Sequence, residues 1–309
     1  MEYKSQTRLY IGMAAFFGIL LLLGTFFDLP VSEALYSEDN LPALTVNFAA
    51  FYLFFGSCMF FLGALWHQLI AYTNKKSLQA ILSLVFIYLF ASTATLGGGG
   101  SISDPLLSGV LKNFSTSLPG CLAAGSLLCF PWFVFGFLAN GKRTDKETIR
   151  ELIRLIVIMT MVYLVSSYFN CTVLRPHYRL TLTDRNSVFS PWYHIRKNGQ
   201  LLMSIQDLIS PHPGSFICGH AMYAVLFFII SPAYGHVFPA LKKKQKLVMA
   251  IALVFAIPIL FCRLISGDNY LSDIALGGLS AVKICFSFRS RKNKNDNNRR
   301  CASSSMTSD

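Results

Sequence analysis

Residues 46–72 read VNFAAFYLFFGSCMFFLGALWHQLIAY, 27 residues without an Asp, Glu, Lys or Arg. A hydrocarbon core about 30 Å thick is crossed by roughly 20 apolar residues in helical conformation. A helix is the single-segment structure that satisfies its own backbone polar groups in lipid. The stretch therefore predicts a membrane span, and similar runs lie on both sides of it. They are Leu9 to Phe27, Leu78 to Leu96, Pro119 to Leu138, Leu152 to Phe169, Phe216 to Tyr234, Leu247 to Leu264 and Tyr270 to Phe288. The 309 residues are 53% hydrophobic and 14% charged, with a mean hydropathy of +0.49. Soluble domains carry about a quarter charged residues, so a soluble class is excluded. The expected fold is all-α, a polytopic membrane helix bundle of about eight transmembrane helices.

The formal net charge of +12 would suggest nucleic acid as partner in a soluble protein. Here its distribution gives a better account. Lys75 and Lys76, the segment GKRTDKETIRELIR at 141–154, the run Lys242-Lys243-Lys244 and the tail RSRKNKNDNNRR recur after every second span. Short basic loops stay cytoplasmic, so no nucleic-acid partner is expected and both termini are placed in the cytoplasm. The acidic loop with Asp28, Glu33, Glu38 and Asp39 is placed outside, together with the loops 97–118, 170–215 and 265–269. The first apolar run is too long for a signal-peptide core and has a poor cleavage site at Asp28-Leu29-Pro30, so it reads as a retained helix. The Gly97–Gly100 run reads as a flexible loop closing the third span. From about Arg289 the composition predicts a disordered tail.

Of the eight Cys, Cys58, Cys121, Cys129, Cys262 and Cys285 fall inside expected spans and read as small buried hydrophobes. Cys171 and Cys218 lie near the outer face, where one bridge is conceivable.

The chemistry gathers at the outer ends of the later spans. The segments are RPHYR at 175–179, SFICGHA at 215–221 and CRLISGDNYLSD at 262–273. Each sets a cation or an imidazole beside a helix end. Guanidinium forks bind non-bridging phosphoryl oxygens, and helix N-terminal amides supply further donors. An Arg near a span end needs an anionic partner, and for Arg263 a substrate phosphate or Asp273 would serve. His220 is the candidate acid or base. Taken singly, Arg175 and Arg179 could be interfacial charges, His220 a satisfied histidine, and Arg263 with Asp273 an ion pair. The intervening loop also carries His177, His194 and His212.

These segments resemble the motifs of the type-2 phosphatidic acid phosphatase superfamily: Lys-x6-Arg-Pro, then Pro-Ser-Gly-His, then Ser-Arg-x5-His-x3-Asp. SFICGHA looks like the second motif, with Gly219 and His220 kept and Ile217 and Cys218 in place of Pro and Ser. CRLISGDNYLSD looks like the third, with Arg263 and Asp273 in register, Cys262 for Ser and Asn269 for His. In the first motif the Lys position holds Tyr168, or Asn170 in an alternative register. The FSPWY segment at 189–193 is similar to a stretch found between the first two motifs in some bacterial members. The resemblance covers roughly residues 150 to 288.

The resemblance implies a phosphatase-like core in the C-terminal six helices, residues 78–288, preceded by additional transmembrane helices at 1–77 and followed by a basic cytoplasmic tail at 289–309. It implies His220, position 269 and Asp273 as catalytic, and Arg175, Cys218, Gly219 and Arg263 as phosphate-binding, with no metal and no cofactor. The implied partner is a membrane lipid phosphate or polyprenyl pyrophosphate hydrolysed at the extracytoplasmic face of a bacterial inner membrane. The family's third-motif His attacks phosphorus. Asn269 has a delocalised amide nitrogen and no usable lone pair, so hydrolysis is expected to be impaired. The alternative is an inactive relative that binds phospholipid headgroups or a protein. Cys218 or a loop His as substitute nucleophile are the two remaining routes to turnover.

Overall fold

The computed structural model describes residues 3–102, 106–107, 114, 116–139, 145–173, 175–194 and 214–305. The helices are α1 (Tyr3–Leu35), α2 (Leu41–Tyr72), α3 (Lys76–Ile102), α4 (Leu118–Ala139), α5 (Lys146–Thr172), the short α6 (Tyr178–Thr183), α7 (Gly219–Ile230), α8 (Gln245–Ile265) and α9 (Leu271–Ser305). Seven of them are long and apolar enough to cross a membrane, and α7 is a shorter apolar helix. The bundle is all-α and polytopic, as the hydropathy pattern predicts, and the chain is an integral membrane protein.

Three boundaries differ from expectation for physical reasons. The first helix does not stop at Phe27 but runs through Asp28 and Pro30 to Leu35, because Asp28 finds buried partners and need not leave the helix for solvent. The sixth run does not hold one straight helix. It begins at Gly219, turns through a 3-10 segment at Ser231–Ala233 where Pro232 falls, and continues as one-turn helices at Tyr234–Val237 and Pro239–Lys242. The last helix continues through the basic segment after Arg289, where composition predicts disorder and no Pro or Gly interrupts the chain.

The Gly97–Gly100 run is helical rather than a loop, and Gly97, Gly98 and Gly99 are buried. A Cβ on Gly98 would stand 1.8 Å from the Cys121 carbonyl oxygen, and one on Gly125 would stand 1.7 Å from that of Ala94. α3 and α4 thus touch backbone to backbone through reciprocal glycines, the packing device that close helix approach in lipid requires. α4 meets α2 the same way: a Cβ on Gly63 would lie 2.1 Å from the Phe133 carbonyl oxygen and one on Gly136 1.9 Å from that of Phe60. On the other side α1 packs along α9, and α7 sits against α8 and α9. A core of Phe54, Met59, Phe61, Leu152, Met159, Met222 and Leu226 joins these groups.

The polar segments divide between the two ends of the bundle. Lys146 lies 5.8 Å above the Tyr72 ring, which puts the start of α5 beside the end of α2. Arg175, Arg263 and Asp273 gather at the other end. The segment LLMSIQDLI at 201–209, with Arg196, Lys197, Asp207 and His212, lies outside the described residues.

Gly98→Ala is expected to lower the unfolding midpoint in detergent, at a cost of about 1–3 kcal/mol for overpacking. Gly18→Ala, whose Cβ meets nothing within 4 Å, should leave it unchanged.

Candidate functional site

The turn between α8 and α9 builds the site. Gly267 follows the last turn of α8 with φ +67°, a left-handed cap that favours glycine. The Ser266 amide donates to the Cys262 carbonyl at 2.9 Å, and that of Gly267 to Leu264 at 3.0 Å. This geometry turns the chain so that Asp268 and Asn269 point inward, where both are buried. α9 then starts at Leu271 with Asp273 in its first turn, and the Asp273 carboxylate accepts from the Tyr270 amide at 3.0 Å. That reach-back satisfies one of the free amides of a helix start.

Two ionic nodes result. In the inner one Arg175 is 3% exposed. Its Nε donates to the Ser190 carbonyl at 2.9 Å, Nη1 to Ser272 Oγ at 2.8 Å and Asp273 Oδ1 at 2.5 Å, and Nη2 to Asp28 Oδ2 at 2.8 Å. Its Cζ lies 4.2 Å from the centroid of the Tyr270 ring. Asp28 accepts in addition from the Ser272 amide at 2.8 Å and from the Ser272 hydroxyl. Burial alone would lower the Arg175 pKa, but Asp273 and Asp28 outweigh it and raise it, so the guanidinium is a fixed charge. The phosphate-ligand expectation for Arg175 meets a physical obstacle, since four of its five N–H groups are committed to protein acceptors.

The outer node is centred on Asp268. Its Oδ2 receives Arg263 Nη1 at 2.9 Å and Ser266 Oγ at 2.8 Å, and its Oδ1 receives Arg179 Nη2 at 3.1 Å. Burial opposes the carboxylate form, but Arg263, Arg179 and His177 prevail and hold its pKa below the usual range. His177 Nδ1 is hydrogen-bonded to the Asp268 carbonyl. Asn269 links the two nodes. Its side-chain oxygen accepts from Arg263 Nε at 2.7 Å, and its amide nitrogen donates to the Ser215 carbonyl at 2.6 Å. It does not take Asp273 as its partner, because that carboxylate is held by Arg175 and the Tyr270 amide.

The second-motif segment reaches the same place. The Cys218 amide donates to the Asp273 carbonyl at 3.1 Å, and a Cβ on Gly219 would lie 2.4 Å from Ser166 Oγ. His220 stands between Phe51 and Tyr223, at ring distances of 6.5 and 5.8 Å, and the charges of Arg263 and Asp268 act on its ring. Arg263, His220, Asn269 and Asp273 are thus brought together, with Arg175 beyond Asp273. Burial pushes the Cys218 thiol up to about 11. Since the thiolate is the nucleophile, substitution of the missing His by Cys218 gains no support. Cys171 and Cys218 are both free, so they form no bridge. Of the loop imidazoles, His177 reaches the outer node and His194 is exposed near Tyr193, while His212 lies outside the described residues.

Two contributors come from the N-terminal helices. Asp28 of α1 completes the inner node. Asn47 of α2 donates to Ser266 Oγ at 3.1 Å and hydrogen-bonds through its backbone to His220. Trp192 of the FSPWY segment donates to Thr25 of α1 at 3.0 Å and pins the loop to the same helix. Their signal in the sequence is a polar residue inside or bordering an apolar run, which in membranes marks a buried partner.

A helical membrane bundle with Arg263, Asn269 and Asp273 gathered at one end fits a membrane protein with a phosphatase-type domain. The PAP2 superfamily description matches residues 151–296, and this portion of the chain, α5 through most of α9, belongs to that superfamily. No curated protein and no solved structure matches the chain.

Arg175→Gln would leave Asp28 and Asp273 buried without their cation and is expected to cost about 3–5 kcal/mol of stability. Arg179→Gln, at a side chain 43% exposed, should cost no more than about 1 kcal/mol. Denaturation in detergent of the two variants beside the native chain checks both values.

Proposed function

We propose that this chain is an integral membrane protein of the PAP2 superfamily that keeps the frame of a lipid-phosphate phosphatase without ordinary turnover, and that phosphorylated lipid headgroups are the ligand class its frame takes when the site is open. The observation that carries the reading is the bonding of Asn269. At the position where the family resemblance calls for an attacking imidazole, a carboxamide bridges Arg263 Nε and the Ser215 carbonyl. It can hold that geometry but cannot form a covalent phosphoryl intermediate. His220, the counterpart of the general acid, lies within the electrostatic reach of Arg263, and Asp273, the counterpart of the orienting carboxylate, is turned to Arg175.

The chemistry such a frame would recognise is a phosphomonoester or pyrophosphate on a membrane lipid, in the class of phosphatidate, phosphatidylglycerol phosphate or a polyprenyl pyrophosphate. Positive-inside reasoning supports a topology with both termini in the cytoplasm and the site end of the bundle outside, in a bacterial inner membrane.

Phosphate release by the purified chain from a panel of these lipids tests the proposal. The native protein is expected to release none above the detergent blank, and Asn269→His to gain measurable release. Turnover by the native chain would mean that another residue attacks phosphorus, and the proposal would fall.

A further inference from the structure

The Asp268 carboxylate sits where a ligand would. Its oxygens are met by Arg179 at 3.1 Å, Arg263 at 2.9 Å and the Ser266 hydroxyl at 2.8 Å. Two guanidinium groups from different segments, converging with a hydroxyl on one pair of oxygens, are the donor set that binds a tetrahedral oxyanion. The imidazoles of His177 and His220 stand near enough to interact with the charge at the same point. The seat is connected to solvent, since the Arg179 side chain is 43% exposed while those of Arg263 and Asp268 are each 12% exposed. The inner node differs, with Arg175 and its two carboxylates at 4% or less.

We propose that Asp268 is a built-in stand-in for an oxyanion, an autoinhibitory carboxylate that fills the seat between Arg179 and Arg263, and that the seat accepts a phosphate-class oxyanion once this carboxylate is neutralised or displaced. The proposal rests on the reading of the site as a phosphatase frame and adds what regulates it. It assigns to Arg179, Ser266 and Asp268 a ligand role that the motif positions Arg263 and His220 do not supply alone. The seat is made at the α8–α9 turn, where Gly267 in its left-handed conformation lets the following residue fold back over Arg263. With the carboxylate in place, the two outer guanidinium charges face one fixed negative charge. A dianion can enter only by displacing it. Without it, two neighbouring guanidinium groups repel, and that repulsion is relieved by any anion that fits.

The test is the unfolding midpoint of the full chain in detergent, in inorganic phosphate against chloride at equal ionic strength. The expected result is a lower midpoint for Asp268→Asn in chloride and a saturable recovery in phosphate, as binding to the folded state requires. Adding Arg179→Gln to Asp268→Asn should abolish the recovery. The native chain should respond alike to the two salts. Short-chain phosphatidate forms a parallel arm. Recovery at the same concentration as inorganic phosphate identifies the phosphoryl group alone as the ligand, and recovery at a much lower concentration identifies a lipid phosphomonoester; either supports the proposal. Equal recovery in chloride, no recovery in either arm, or a phosphate-specific rise in the native chain would overturn it. The native arm decides even if Asp268→Asn fails to fold. Failure here is distinct from failure of the functional reading, which is decided by phosphate release and not by the midpoint.

Discussion

Arg175 held between Asp28 and Asp273 is the contact on which the geometry of the site end depends. Three charges are buried, with both carboxylates within hydrogen-bond distance of the guanidinium, and taking such groups out of water is costly unless each finds partners. The chain meets this requirement by bringing α1, the segment after α5 and the start of α9 to one point. Ser272 contributes through both its amide and its hydroxyl, so Asp28 is held by three donors. Close packing makes this possible. A Cβ on Gly24 would stand 2.6 Å from the Ser272 amide nitrogen, so glycine at that position is what lets α9 begin against α1.

The outer node follows from the inner one. Once the start of α9 is fixed, the turn before it has little freedom. Asp268 then falls between Arg179 and Arg263. Arg175, Arg179 and Arg263 are matched by Asp28, Asp268 and Asp273, three cations to three anions. A phosphatase site needs surplus positive charge aimed at the transferring oxygens. Here the ion pairing leaves the arginines of the two nodes without that surplus. On the proposed reading the carboxamide at the attacking position removes the chemistry, and the charge balance closed within the protein weakens phosphate binding besides.

How much of this the sequence reveals depends on the range of the interaction. A 27-residue run without charge identifies a span because the thickness of lipid is fixed, and the motif positions Arg263, His220 and Asp273 stand out because their spacing is local. Asp28 could not be placed this way. Beside Pro30 at the end of an apolar run it reads as loop, and its partners Arg175 and Ser272 lie 147 and 244 residues away. The Gly97–Gly100 run misleads for a related reason, since glycine marks a flexible loop in water and a close helix contact in lipid. Asn47 is a single polar residue whose partner Ser266 lies 219 residues away, and Asp268, though near Arg263 and Ser266 in sequence, takes Arg179 from the segment after α5. Cys218, read from its motif position as a phosphate-binding group, proves a buried thiol that caps α7 by accepting from the Ala221 amide at 3.4 Å.

Asn269 keeps this arrangement intact because of its hydrogen-bonding capacity. It offers one acceptor to Arg263 and one donor to Ser215. A neutral imidazole also has one donor and one acceptor, so the surrounding bonds do not by themselves require Asn over His. What separates the two side chains is nucleophilicity, which the folded state does not need. Selection on stability alone would therefore tolerate either residue, and the frame can persist whether or not the chemistry does. Asp268 is different. Its carboxylate is the only negative charge between Arg179 and Arg263 among the described ion pairs, and a neutral residue there would leave the two guanidinium charges without a counter-ion between them. On the proposed reading position 269 thus decides the chemistry, whereas Asp268 decides access to the seat.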